Sequence, residues 1–371
     1  MKRLLILGGG TAGTRVANAV AKRRPDVSVT VADSHGDHLY QPANLYIPFG
    51  IDFETRRDAR ALLRESVVLR VERASRIDAA ARTVHFESGV KVEYDALVIA
   101  TGSRTDHDAI PGLSEAGHHF HCEKSARALK DALALFEGGK VIVGASRLPY
   151  KCPPSPIEFT LLLDERLREQ GVRTRTEIHY VYPLPRVMSL APVADAVDGI
   201  FKDRGIKTAT SFETESADPE KRTIRAADGR VLPFDLLVMV PPHCGAPFLA
   251  ESGFAGPGNW VKADKETMRV ADGIYALGDA ADLPVPKSGA AAHYQSDVVV
   301  ENVLAEIDGG APAAKYDGRV QCFCETGKNQ ALKIEFTYAT PPERPKTSYL
   351  AHHQKAILNR LYFSLIPHGW L

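Results

Sequence analysis

The chain opens on an unbroken apolar run, Leu4 to Leu7, behind Lys2 and Arg3 and ahead of three glycines. A short apolar run bounded by turn residues predicts a buried strand over 2–7. Apolar positions then recur at helical spacing over 11–23, and a second strand follows over 27–32, closed by Asp33. A strand, a helix and a strand in that order imply a parallel sheet. Further apolar strands are predicted over 94–102, 140–143, 177–183, 236–240 and 274–277, with helices over about 154–169 and 290–307. The strands near 140–183 form a second βαβ-like unit between parts of the first, and the pattern turns β-rich after Gly309. The fold class predicted is α/β: two Rossmann-like dinucleotide-binding domains, the second inserted in the first, with a C-terminal β-rich segment and an amphipathic tail. The expected divisions are 1–110 and 246–310 for the first domain, 111–245 for the second, and 311–371 for the C-terminal region.

Gly8-Gly9-Gly10-Thr11-Ala12-Gly13 fits G-x-G-x-x-G between the first strand and its helix, and Asp33 ends the second strand about 20 residues beyond Gly13. Gly8, Gly10 and Gly13 let backbone approach a pyrophosphate at a helix N-terminus, and Asp33 can accept from a ribose diol. This fingerprint alone leaves NAD and FAD open. The stretch from Thr267 to Asp279 decides between them, because it resembles the second FAD signature of the pyridine-nucleotide and disulfide flavoreductases. In that family the acid of the closing Gly-Asp pair, here Gly278-Asp279, holds the ribityl chain. Residues 94–102, ending in Thr101-Gly102, match the family's central motif, so the resemblance implies FAD.

The second unit departs from an NADH-using relative. After the strand at 140–143 the chain reads Gly144-Ala145-Ser146-Arg147-Leu148-Pro149, without the second and third glycines, and no acid ends the strand at 177–183. Another electron donor is therefore expected. Tyr150-Lys151-Cys152-Pro153-Pro154-Ser155-Pro156-Ile157-Glu158 resembles the redox-cysteine turn of the sulfide:quinone oxidoreductases and of the flavin subunit of flavocytochrome c sulfide dehydrogenase. The similarity continues through Pro241-Pro242, the Pro286-Lys287-Ser288-Gly289 turn and Gln295, then through Tyr316 to Cys322. It implies a redox pair of Cys152 and Cys322, and leaves open whether Cys324 or Cys122 takes part. It also implies a proton role for Glu158 and a place near the flavin for Lys287. Sulfide attack on a disulfide sulfur leaves a persulfide and a thiolate, so sulfide is the expected substrate and a membrane quinone the expected acceptor. Lys151 is expected to lower the pKa of Cys152, and Pro153 to hold Cys152 extended. A sulfide dehydrogenase subunit, a type II NADH:quinone dehydrogenase and a flavoprotein that governs a partner by redox state are the alternatives.

Composition narrows the partners. Lys+Arg 46 against Asp+Glu 46 gives no electrostatic footprint of a nucleic-acid binder. Five cysteines are too few for a disulfide scaffold, and Cys244 reads as a small buried hydrophobe. His118, His119 and His121 are adjacent along the chain rather than convergent, so no metal is expected. The apolar run after Met1 is too short for an export signal, and no stretch reaches the roughly 18 to 20 apolar residues of a spanning helix. Residues 349–371 nevertheless combine basic residues with many apolar ones and end on Trp370-Leu371. This predicts peripheral membrane attachment through the tail, with Tyr362 and Phe363 at the quinone. A homo-oligomer stays open.

Overall fold

The computed structural model describes residues 1–369, and Trp370 and Leu371, the aromatic end of the expected anchor, lie outside them. Strand β1 (Lys2–Leu7) leads through helix α1 (Thr11–Arg23) to β2 (Val27–Asp33), β3 (Val68–Val71) and β4 (Ala96–Ile99). Leu4 to Leu7 are all buried because β1 is central, paired parallel with β2 on one side and β4 on the other. Between β3 and β4 an antiparallel excursion, Ala74–Asp78, Thr83–Phe86 and Lys91–Glu93, interrupts the alternation. The hydrophobic pattern did not suggest it, since its strands are only three to five residues long.

The second parallel sheet contains β5 (Gly139–Ala145), which leads to helix α2 (Ser155–Glu169), then β6 (Thr176–Val181), β7 (Lys207–Ala209) and β8 (Leu236–Val240), in the order β7-β6-β5-β8. The chain enters and leaves this unit side by side: Arg104 pairs with Cys244 and Thr105 with His243, antiparallel. It then completes the first sheet with β9 (Arg269–Ala271) and β10 (Ile274–Ala276), giving the order β9-β10-β4-β1-β2-β3. The α/β class and the insertion of one Rossmann-like unit within the other are as the pattern predicts.

Helix α3 (Gly289–Ile307) packs on α1, and β11 (Val320–Gly327), β12 (Gln330–Phe336) and β13 (Thr347–Ser348) form a C-terminal sheet. Strand β11 lies against α2, which carries Cys322 and Cys324 to the start of that helix. The tail is helix α4 (Tyr349–Leu365), started by the Ser348 hydroxyl accepting from the Ala351 N–H. One face docks: Ala351, Lys355, Asn359, Tyr362 and Phe363 are buried, and Tyr362 stacks on Tyr40 with ring centroids 4.0 Å apart. Burying each such aromatic contributes about 1.5–3 kcal/mol, enough together to hold a terminal helix against fraying. The other face keeps Tyr349, Leu350, Ile357 and Leu361 exposed. Among the described residues no helix is long and apolar enough to cross a membrane.

Candidate active site

The glycines of the first loop divide by what demands them. A Cβ at Gly8 would lie 2.2 Å from the Ala100 carbonyl oxygen and one at Gly13 would lie 1.9 Å from the Gly8 carbonyl oxygen, so the fold itself requires both. A Cβ at Gly10 would meet nothing within 4 Å, so this position is open toward whatever lies over the helix N-terminus. The Asp33 carboxylate accepts from the Gly9 N–H at 2.5 Å and the His35 N–H at 2.8 Å, which fixes it at the end of β2. Gly8, Asp33 and Thr101 line one cavity of about 390 Å³, with Glu72, Ala246 and Phe248 among its other walls. The Thr101 hydroxyl is buried there without a hydrogen-bond partner among the described residues. Across the sheet end, Gly278 approaches Ala12 of α1 and donates its N–H to Gln295, while Asp279 accepts from the Ser103 hydroxyl at 3.3 Å. Gly102 takes a positive φ, 65°, at the turn that brings Ser103 there. A glycine cradle, a carboxylate at ribose distance and an orphaned hydroxyl fit a dinucleotide whose two halves are met by residues of both segments.

The cysteines meet beside this cradle. Cys322 comes close enough to Cys152 that negative charge on it raises the Cys152 pKa. All five thiols are free, the reduced form. Ser155 in the first turn of α2 acts to lower the Cys152 thiol pKa, and Ser288, which caps α3 by accepting from the Ala291 N–H, acts to lower that of Cys322. The Cys152 N–H donates to the Lys287 carbonyl at 2.7 Å, so the two turns are tied together. Beside the thiols, the Lys355 ammonium is ion-paired to the Glu158 carboxylate and donates to the Phe323 carbonyl at 3.1 Å. Tyr46 donates its hydroxyl to the same carboxylate at 3.1 Å. Burial pulls the Lys355 pKa down, but Glu158, Tyr46 and Glu325 outweigh it and hold the ammonium charged.

Two expectations about Cys152 are corrected here. Its backbone is left-handed at φ 57° rather than extended, because the turn that offers its carbonyl to the Ser155 N–H requires it. That is strained for a residue before proline, and strain of this kind collects at working sites. Nor does Lys151 bring the thiol below its ordinary range. Its ammonium reaches the Ser103 carbonyl at 3.4 Å and faces Asp279 as well as Cys152, while burial, Cys322 and Glu158 push Cys152 up to about 12 against the opposing Lys355. Burial likewise raises Cys322 to about 11, against Ser288 and Lys355. Cys324 is buried under Pro154 and raised well above the usual thiol range by burial.

Comparison with known proteins places this geometry. The family model of the pyridine nucleotide-disulphide oxidoreductases matches residues 2–296. The chain belongs to that family. As a pyridine nucleotide-disulphide oxidoreductase it is similar to the mitochondrial sulfide:quinone oxidoreductase of Mus musculus, 25% identical over 99% of this chain and 86% of that protein. It is also similar to the sulfide-quinone reductase of Aquifex aeolicus, 23% identical over 99% of this chain and 92% of that protein. The solved structure of the sulfide:quinone oxidoreductase from Aquifex aeolicus shares the fold with a TM-score of 0.89, covering 100% of this chain and 92% of that one at 22% identity.

Within this pyridine nucleotide-disulphide oxidoreductase the end of β5 is tied to β8. Ser146 is fully buried there and donates its hydroxyl to the Val240 carbonyl at 2.8 Å. Helix α2 starts at Ser155, three residues after Cys152. Lys287 donates to the Asp279 and Ala281 carbonyls at 3.0 and 2.7 Å and lies over Trp260, and burial lowers it to about 8. Its ammonium thus holds the Asp279 turn. Cys122 occupies the position before the helix Glu123–Ala134 without a side-chain capping bond, and is felt by Lys151. Tyr362 and Phe363 face inward: the Tyr362 hydroxyl bonds Thr11 at 2.5 Å and His38 at 2.8 Å. Among the described residues no three His, Cys, Asp or Glu side chains converge as metal ligands. The sequence reading passed over Ser155, Ser288, Tyr46 and Lys355 as site residues. Ser288 had a signal, a serine directly before an apolar helix, whereas Lys355 is only one of several basic residues in 349–371.

Proposed function

We propose that the protein is an FAD-dependent sulfide:quinone oxidoreductase. The observation that carries this reading is the convergence of Cys152 and Cys322 beside a dinucleotide cradle. The buried Ser146 bonded to Val240 after β5, in place of a second glycine loop, supports a donor other than a nicotinamide, with the thiol pair as the entry for electrons. FAD fits the cradle of Gly8, Gly10, Gly13, Asp33, Thr101, Gly102, Gly278 and Asp279, and supplies a two-electron sink that a second acceptor can empty.

The residues perform the rest. In the oxidised form Cys152 and Cys322 share a disulfide, and hydrosulfide attacks one sulfur, breaking the S–S bond and leaving a persulfide on that cysteine and a thiolate on the other. A second hydrosulfide takes the outer sulfur of the persulfide as hydrodisulfide, leaving two reduced cysteines, and these reform the disulfide with loss of one proton and of two electrons that a bound FAD would accept. Glu158 and Lys355 supply a buried acid–cation pair at the thiols, poised to move the protons that a reduced quinone takes up. Lys287 fixes the Asp279 turn by its backbone bonds. The exposed Tyr349, Leu350, Ile357 and Leu361 present an apolar strip that suits attachment to a bilayer surface, where a quinone is dissolved. Steady-state reduction of a soluble quinone by sulfide tests the reading: turnover with sulfide and none with NADH supports it, and turnover with NADH alone overturns it.

A further inference from the structure

The end of α4 and the residues after it meet α1 along one polar stripe. Thr11, Thr14, Arg15 and Asn18 stand at i, i+3, i+4 and i+7, on one face of α1. Arg15 donates to the Ile366 carbonyl at 3.2 Å and Asn18 to the Pro367 carbonyl at 2.8 Å, so the chain just beyond α4 is bound to this stripe. At its head the Tyr362 hydroxyl lies 2.5 Å from the Thr11 hydroxyl and 2.8 Å from Nε2 of the buried His38. Nδ1 of His38 lies 3.4 Å from the Thr14 hydroxyl, which donates to the Gly9 carbonyl at 2.9 Å. Counting protons gives each bond its direction. The one proton of the Thr14 hydroxyl goes to Gly9, so toward His38 this oxygen can only accept, and Nδ1 carries the ring proton. Burial keeps the ring neutral, its pKa lowered to about 4 against Gly9, Asp33 and Asp37, which leaves Nε2 an acceptor. Tyr362 therefore donates to His38 and accepts from Thr11. The chain of bonds begins at Thr11 and ends at Gly9, both on the glycine loop, and Tyr362 is its one member from the C-terminal helix.

We propose that Tyr362 is a positioning residue for the cofactor: by accepting from the Thr11 hydroxyl it sets the first turn of α1, where the FAD pyrophosphate binds. The proposal rests on the reading of this cradle as an FAD site. The first N–H groups of a helix have no partner within it and are the donors a pyrophosphate meets. Those of α1 begin at Thr11, beside the open Gly10, where a Cβ would meet nothing within 4 Å. A Thr11 hydroxyl already given to Tyr362 cannot also be given to a phosphate oxygen. Its part is to hold the turn so that the backbone donors face outward, and that hold comes from the far end of the chain.

The test follows release of FAD from the full-length holoenzyme, read as the rise of free-flavin fluorescence after dilution. Tyr362→Phe keeps the ring stacked on Tyr40 and removes only the hydroxyl, and Thr11→Val removes the other half of the same bond. Each should release FAD about three- to tenfold faster, and the double variant no faster than Tyr362→Phe alone, because the bond they share is lost once. Thr11→Ser, which keeps the hydroxyl, should stay near wild type. Tyr40→Phe controls for a merely loosened tail: it removes the bond from Tyr40 to Asn359, 2.6 Å long and on the same seat, and should leave FAD release unchanged. Thr11→Val carries the test if Tyr362→Phe fails to fold. Wild-type release in whichever of these two folds, effects that multiply in the double variant, or equal loss in Tyr40→Phe overturns the proposal. Protein that is purified without flavin and takes up none when FAD is added overturns the FAD reading instead, so the two failures are distinguishable.

Discussion

The Lys355 ammonium, near the middle of the C-terminal helix, is ion-paired with the Glu158 carboxylate in the first turns of α2, and both side chains are almost wholly buried. The pair joins the last helix of the chain to the turn that holds Cys152. Removing two charges from water costs several kcal/mol per ion, which attraction offsets only when the remaining donors and acceptors are met. Here Tyr46 and the Phe323 carbonyl meet them.

Breaking this pair from one side should therefore be costly. Glu158→Gln and Lys355→Met should each destabilise the protein by about 3–5 kcal/mol, whereas Glu158→Leu with Lys355→Met together should recover most of that loss. Urea unfolding measures it. Single variants within about 1 kcal/mol of wild type would mean that water reaches the pair.

Cys152→Ser and Cys322→Ser should each retain FAD, because neither touches the nucleotide cradle, and each should abolish flavin reduction by sulfide. Cys324→Ser should be milder, since this thiol is packed under Pro154. Stopped-flow absorbance on the three variants checks this; equal loss in Cys324→Ser would move the second redox role to Cys324.

Acid should weaken the seat of the tail. Burial lowers the pKa of His38 to about 4, and its ring bonds the Tyr362 hydroxyl. The unfolded chain, with an ordinary histidine near 6.5, binds the proton first, so stability is full above pH 6.5 and is lost as pH falls toward 4. The His38 share of that loss is about 3 kcal/mol. His119 and His243, lowered to about 3 by burial, extend the loss in the same direction. Urea unfolding at pH 7.5 and 4.5 should show a smaller pH dependence in His38→Gln than in wild type. An equal dependence would remove His38 from the account.

Membrane attachment should depend on the outer face of α4 and not on its presence. Ile357→Ser with Leu361→Ser, both exposed, should release the protein from liposomes in a sedimentation assay while sulfide bleaches the flavin at the wild-type rate. Deleting 358–371 is the harsher change, because it also removes Asn359, Tyr362 and Phe363 from the nucleotide domain and should lower FAD content. Undiminished liposome binding in the double variant would assign the apolar strip to another contact.

The reading from sequence reached furthest where one local pattern carried one requirement. Residues 2–7 had to form a central strand because nothing polar interrupts Leu4 to Leu7. Where a feature depended on which of two faces an element presents, the sequence was silent. The tail helix is apolar on both sides of Lys355, so its periodicity did not reveal that Lys355 turns inward to Glu158 and that Tyr362 and Phe363 dock beside Tyr40. Ser155 and His121 lie far apart in the chain and became partners only through the packing of α2 on the loop before residue 123. The net effect at Cys152 was hidden for the same reason: Lys151 is a sequence neighbour that reaches the Ser103 carbonyl and faces Asp279 as well, and burial with Cys322 and Glu158 outweighs it at the thiol.

The central claim is that electrons enter from sulfide through the cysteine pair and not from a nicotinamide. Anaerobic addition of sulfide, and separately of NADH, to the purified FAD-loaded protein, with flavin absorbance followed in a stopped-flow instrument, tests it most directly. Rapid bleaching by sulfide that is lost in Cys152→Ser, with no bleaching by NADH, is the predicted result; bleaching by NADH with none by sulfide would contradict it.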